Sequence, residues 1–273
     1  MVDILKIANW LLPMLYLALL AGYAAAFFLR TGASGRSVLL PVVLAFHAGF
    51  LVLLARYLGR MVPATNYEVL SAMAAGIAAV YLVVEYSTRE RRTGVFVLLA
   101  ILILQYSSSV FLPPAELGPQ PPAPVVSGYW SQLHTIPAMV AYVAFTISAI
   151  YSLLHQLALR DMRRHRFGLL FDRLPSLETL GKMNWHSLLV GFIFMTLAIV
   201  TGTALVAANR ADLPVIDART FIKILAGPAA WLIYAGAIVG KYAAKWDSAR
   251  ISRLSVAGFI VVLAMLVLSI LLS

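Results

Sequence analysis

Eight long apolar runs, separated by short polar connections, pattern the chain: residues 10–29, 37–55, 67–86, 95–112, 137–158, 185–208, 222–242 and 254–272. A helix needs about 20 mostly apolar residues to cross a bilayer, since it rises ~1.5 Å per residue and the hydrocarbon core is ~30 Å thick. A single segment in lipid satisfies its own backbone hydrogen bonds only as a helix. The pattern therefore predicts an all-α, polytopic membrane helix bundle with about eight transmembrane helices, residues 1–273 forming one integral membrane domain. The first run is long for the apolar stretch of a secretory signal and reads as a retained span.

Composition agrees. The 273 residues are 62% hydrophobic and 12% charged, with a mean hydropathy of +0.90, whereas soluble domains run near 45–50% and about 25%. There is no cysteine, which removes disulfide frameworks, thiolate-bound zinc or iron–sulfur centres, and covalent c-type haem attachment to this chain. No phosphate loop, dinucleotide fingerprint, nucleophile elbow or His-Glu-x-x-His is present, so soluble-enzyme chemistry finds little support.

The net charge of +10 suits nucleic acid or acidic lipid, and position decides between them. Fifteen of the 21 Lys and Arg residues lie in the connections after the first, third, fifth and seventh runs or, for Lys241, in the last turn of the seventh. Positively charged connections face the cytoplasm, so both termini are expected outside it, in a bacterial plasma (inner) membrane. The basic cytoplasmic loop 159–184 then faces membrane lipid, with Arg163, Arg164 and Arg166 toward anionic headgroups. Nucleic acid is not needed. Residues 112–130 hold six prolines and one charge, Glu116, and read as an external loop of extended chain, a flap or a connector. Tyr129 and Trp130 at its end are suited to the interface. Glu68 and Glu85, at span ends, are expected to be solvated. Gly236 with Gly240, and Ala72 with Gly76, have the spacing that lets helices approach closely.

Ionisable groups inside spans are costly and mark function by default. His47 falls in the middle of the second span, His134 at the outer mouth of the fifth, and His155 and His186 near the inner ends of the fifth and sixth. At ~1.5 Å per residue, His155 and His186 share a depth, whereas His47 and His134 differ by ~15 Å. Imidazole is a good axial ligand for haem iron, and two histidines on facing helices can clamp one haem. Depth favours His155 with His186, and the pairing stays open. Arg56 and Arg60 outside, or Arg160 and Arg163 inside, are candidates for haem propionates, with membrane topology as their other role.

Several phrases, in order, carry a resemblance. The second span ends Leu-Leu-Ala-Arg56, followed by Pro63-Ala-Thr-Asn-Tyr-Glu-Val-Leu70. Next come Leu133-His-Thr-Ile-Pro137 with Tyr142 and Phe145, Leu174-Pro-Ser-Leu-Glu178, and Gly191-Phe-Ile-Phe-Met-Thr-Leu197 with Gly202. The last two spans hold Trp231-Leu-Ile-Tyr234 and Gly258-Phe259. From about Leu40 onward the chain resembles the CcsA/ResC/HemX-like cytochrome c assembly family of haem-handling membrane proteins. In its haem-delivering members an external tryptophan-rich motif precedes span seven. Here that stretch reads Leu213-Pro-Val-Ile-Asp-Ala-Arg-Thr-Phe221, keeping Asp217 but no tryptophan. A family histidine near the end of span seven is replaced around Lys241 and Tyr242, and a second external histidine would lie past Ser273. The chain looks closer to the HemX-like branch.

The resemblance implies one or two molecules of haem b, held by His47, His134, His155 and His186 as iron ligands, in cytochrome c maturation or haem supply. Partners would be cytochrome c assembly or respiratory subunits. Two other readings stay open. One is a haem-containing electron-transfer subunit of a quinone-linked complex; the other is a haem-free scaffold or regulator.

Overall fold

The computed structural model describes residues 2–29, 37–61, 63, 65–88, 91–111, 129–165, 168–208 and 218–271. Among them the chain is helical, without strands: α1 (Val2–Leu29), α2 (Leu39–Leu58), α3 (Asn66–Thr88), α4 (Gly94–Phe111), α5 (Tyr129–Arg163), α6 (Leu169–Arg173), α7 (Leu177–Ala208), α8 (Ala218–Tyr242) and α9 (Ser248–Leu271). Helices α1, α2, α3, α5, α7 and α8 are long and apolar enough to cross a membrane, and α4 is a shorter apolar helix. Helix α9 carries the eighth expected span. Residues 112–128 of the proline-rich connection, the loop containing Asp217, and the side chains of Tyr129 and Trp130 lie outside the described residues.

The helices outrun the apolar windows. Helix α5 begins eight residues before Pro137 and ends at Arg163, and α7 begins at Leu177. Most of the basic segment 159–184 is therefore helical. At 35 and 32 residues, α5 and α7 are ~50 Å long against a ~30 Å hydrocarbon core, so their end turns reach the interface or beyond. Each gives the other's end turns a packing partner.

The chain divides into two compact units, Met1–Val125 and Val126–Ser273. In the first, α1 packs on α2 and α4, and α3 on the same two helices. Helix α2 stops because Gly59 takes a left-handed turn (φ 65°), which lets the Arg60 amide reach back to the Ala55 carbonyl at 3.1 Å. Most residues strain there, and glycine does not. Thr65 then caps α3, its Oγ1 accepting from the Glu68 amide. Glu68 and Glu85, expected to be solvated, are both buried. Glu68 meets Arg60 at 2.7 Å. Glu85 accepts hydrogen bonds from the Tyr23 hydroxyl and the Ser37 amide and lies 3.5 Å from Arg91 Nε. A charge taken out of water must find such partners.

In the second unit α5 runs antiparallel to α7, while α9 packs on α5 and α8. Three rings on α5 face three glycines on α7: His134 lies on Gly202, Phe145 on Gly191 and His155 beside Gly181. Eleven residues separate His134 from Phe145 and Gly191 from Gly202; ten separate Phe145 from His155 and Gly181 from Gly191. Ten or eleven residues make three helical turns, so rings and gaps stay in register along one face. Lipid supplies no hydrophobic drive for helix association, and fit of this kind together with polar links takes its place. The links are Ser148 Oγ to Asn184 Oδ1 at 2.7 Å and Asn184 Nδ2 to Ser252 Oγ at 3.3 Å. Gly240 also accommodates a ring, that of Trp246, whereas Gly236 is exposed.

Candidate functional site

Each of the four histidines expected to ligate iron has a distinct environment. His47 is fully buried in the first unit, and the bonding that holds it starts at a proline. Pro13 has no amide hydrogen to give the Asn9 carbonyl one turn earlier in α1. That carbonyl instead accepts the Ser109 hydroxyl at 2.8 Å. With its one hydrogen committed, Ser109 can only accept from Gln105 Nε2, at 3.1 Å. Gln105 thereby turns its Oε1 to the Ser71 hydroxyl, 3.0 Å away. Ser71 must then accept from His47 Nε2, also at 3.0 Å. The remaining nitrogen, Nδ1, bears the lone pair of the neutral ring and receives the Tyr16 hydroxyl at 2.9 Å. Every donor in this chain points the same way, from Tyr16 to Asn9, across four helices. Both ring nitrogens of His47 are therefore engaged.

His134 differs. Its Nδ1 lies 2.8 Å from the Ala198 carbonyl oxygen, and since a carbonyl only accepts, Nδ1 carries the hydrogen. Nε2 then holds the lone pair, and no described residue bonds it. Ala198 and Gly202 both belong to the α7 face that receives α5. The ring is half-buried, and α5 places it ~18 Å from the helix midpoint, at the edge of a ~30 Å core.

His155 lies ~31 Å from His134 along the same helix, so one iron cannot take both. It is buried between α5 and α7, its Cδ2 3.8 Å from where a Cβ on Gly181 would stand, and its Nδ1 has no hydrogen-bond partner among the described residues. His186 follows Gly181 by five residues, ~140° around α7, and is exposed. The pair that depth favours does not converge: depth fixes position along the membrane normal, and the face of the helix decides the rest.

Of the candidate propionate partners, Arg60 is held by Glu68 through Nη2, leaving Nη1 buried without a hydrogen-bond partner among the described residues. Arg56, Arg160 and Arg163 are exposed. Lys241 sits with Nζ 3.5 Å from the centre of the Trp185 ring, a cation–π contact at the end of α8.

The donor set decides what could be held. Among the described residues no three His, Asp or Glu side chains gather as a metal site. Haem asks less of the protein, because the porphyrin supplies four nitrogens and one or two axial ligands complete the iron. A neutral imidazole with its hydrogen on Nδ1, bound to a backbone carbonyl, and a free Nε2 is the form that ligates iron. His134 fits this requirement and His47, as bonded, does not. The sequence could have pointed to the same face, since the 134, 145, 155 ring spacing mirrors the 181, 191, 202 glycine spacing.

Comparison with known proteins adds identity to this geometry. Residues 63–273 match the family model described as cytochrome C assembly protein. Two curated relatives, each named cytochrome c biogenesis protein CcsA and drawn from two strains of Heterosigma akashiwo (NIES-293 / 8280G21-1 and CCMP452 / OLISTH), are 24% identical over 234 residues, covering 73% of this chain and 71% of theirs. No solved structure matches. With the family model spanning most of its length, this all-helical membrane chain belongs to the cytochrome c assembly protein family.

Proposed function

We propose that this protein handles haem b for cytochrome c maturation and holds it through His134 Nε2 at one edge of the membrane. The observation that carries the reading is the fixed tautomer of His134, with a second nitrogen that no described residue bonds. Family membership and the cytochrome c biogenesis role named for the curated relatives support it. Haem, when bound, supplies the iron porphyrin as cargo or redox centre. The chain's own part is to present one imidazole lone pair, keep its ring from turning, and surround it with apolar helix. A bacterial plasma membrane is the proposed location, and the distribution of Lys and Arg supports basic connections in the cytoplasm with both termini outside. Neighbouring assembly subunits and membrane lipid are the expected partners.

Hemin titration of the purified full-length protein, followed by a pyridine haemochrome assay, tests this. Wild type is expected to hold haem b, His134→Ala to lose at least tenfold in haem affinity, and His47→Gln to keep its haem, because a glutamine amide still offers one acceptor and one donor. Absence of a Soret band from wild type after titration overturns the proposal.

A second reading, electron transfer across the bilayer to or from quinone, draws on His155, whose unpartnered Nδ1 lies at the other end of α5. Two haems per chain with separate midpoint potentials, one of them lost in His155→Ala, would favour it.

A further inference from the structure

We propose that Gly202 is a positioning residue: its missing side chain holds the His134 imidazole in a single tautomer and a single aim. A Cβ at position 202 would stand 2.9 Å from His134 Nδ1 and 3.0 Å from Cε1. The ring edge that donates to Ala198 thus lies in the space a side chain would fill. Ordinary carbon–nitrogen contact needs about 3.5 Å or more, so even a methyl group drives the ring back by roughly 0.5 Å or more. The Nδ1 to Ala198 oxygen distance is 2.8 Å, and such a retreat brings it to the limit of a hydrogen bond.

That bond is what places the hydrogen on Nδ1. Once it weakens, either nitrogen can carry the hydrogen, and the lone pair is no longer reserved for Nε2. The Ala198 carbonyl does not depend on the ring, because Thr201 Oγ1 also reaches it, at 3.2 Å. The loss therefore falls on the imidazole rather than on α7. Helix propensity works in the opposite direction, since alanine favours a helix over glycine by ~1 kcal/mol. A variant that stabilises α7 while disordering the ring separates the positioning role from a structural one.

The test compares wild type, Gly202→Ala and Thr201→Val as full-length protein, with size exclusion and helical circular dichroism confirming the fold. Nitrogen-15 spectra of histidine-labelled, haem-free protein read the tautomer directly. Wild type and Thr201→Val are expected to show His134 protonated at Nδ1, and Gly202→Ala to show a mixture. In the haem arm, which rests on His134 being an iron ligand, hemin binds Gly202→Ala about tenfold more weakly, with a shifted iron–histidine stretching frequency. An unchanged tautomer in Gly202→Ala overturns the inference. So does hemin affinity within twofold of wild type together with the same stretching frequency. Should wild type bind no hemin, the haem reading fails, and the nitrogen-15 comparison still decides the role of Gly202.

Discussion

Replacing Phe145 with alanine is expected to destabilise the second unit by about 3 kcal/mol, lowering the midpoint of thermal unfolding in detergent or bicelles. The Phe145 ring is stacked on Tyr234, with centroids 3.9 Å apart and planes 8° from parallel. Its other side lies on Gly191, and Tyr234 in turn meets Gly258. Two rings bounded by two glycines thus link α5, α7, α8 and α9. In lipid the hydrophobic transfer term largely drops out, because the separated helices are already in an apolar medium. What remains is a cavity of roughly 100 Å³ at ~24 cal/mol per Å³, or about 2.4 kcal/mol, and a ring–ring contribution of about 0.5–1.5 kcal/mol.

Gly191→Ala probes the same layer from the other side. Its Cβ would collide with the Phe145 ring, which Tyr234 keeps from retreating. Overpacking costs about 1–3 kcal/mol, against ~1 kcal/mol gained in helix propensity. In Gly191→Ala with Phe145→Leu the clash is relieved, so the two changes together are expected to cost less than their sum. A double-mutant cycle measures this, and strict additivity would mean that the ring and the glycine do not share a layer.

Hydropathy made the bundle legible and left the ends of its helices unread. The apolar run 137–158 marks where α5 crosses lipid, and the helix continues at both ends because α7 lies beside it. Composition registers the solvent around a segment; backbone hydrogen bonds and a packed neighbour register where the helix stops. Glu85 shows the same limit from the polar side. Its position near a span end suggests water, yet its partners come from Tyr23, Ser37 and Arg91, scattered over 69 residues of sequence, and only the fold brings them together. For the histidines, the sequence gives depth through the residue count. It does not show that the hydrogens of Ser71, Gln105 and Ser109 run in one direction and occupy His47, or that His186 faces away from His155. The one element of the candidate site that was legible, Leu133-His134 with Gly191 and Gly202, belongs to the phrases that carried the family resemblance. Those phrases are the two faces of one helix pair.

Glu85→Ala is expected to have the largest effect on the first unit, also near 3 kcal/mol. The carboxylate is fully buried and joins α1 through the Tyr23 hydroxyl, the start of α2 through the Ser37 amide, and the segment before α4 through Arg91. Arg91 also lies 5.7 Å from the centre of the Tyr23 ring. Removing one partner of a buried pair leaves the other charge uncompensated, at a cost of about 3–5 kcal/mol, and the lower end applies because Arg91 retains 23% side-chain exposure. Glu85→Gln keeps an oxygen for one of the two donors and loses the charge, so roughly half the effect is expected of it. Arg91→Ala leaves the carboxylate bound by the Tyr23 and Ser37 hydrogens and is expected to cost less than Glu85→Ala. Thermal unfolding of the three variants orders them, and Glu85→Ala within 0.5 kcal/mol of wild type would show that the carboxylate does not join these segments. Glu85 and Arg91 belong to the first unit and His134 to the second, so hemin affinity is expected to stay within twofold of wild type in each variant that folds, which separates the stability of the first unit from the chemistry of the second.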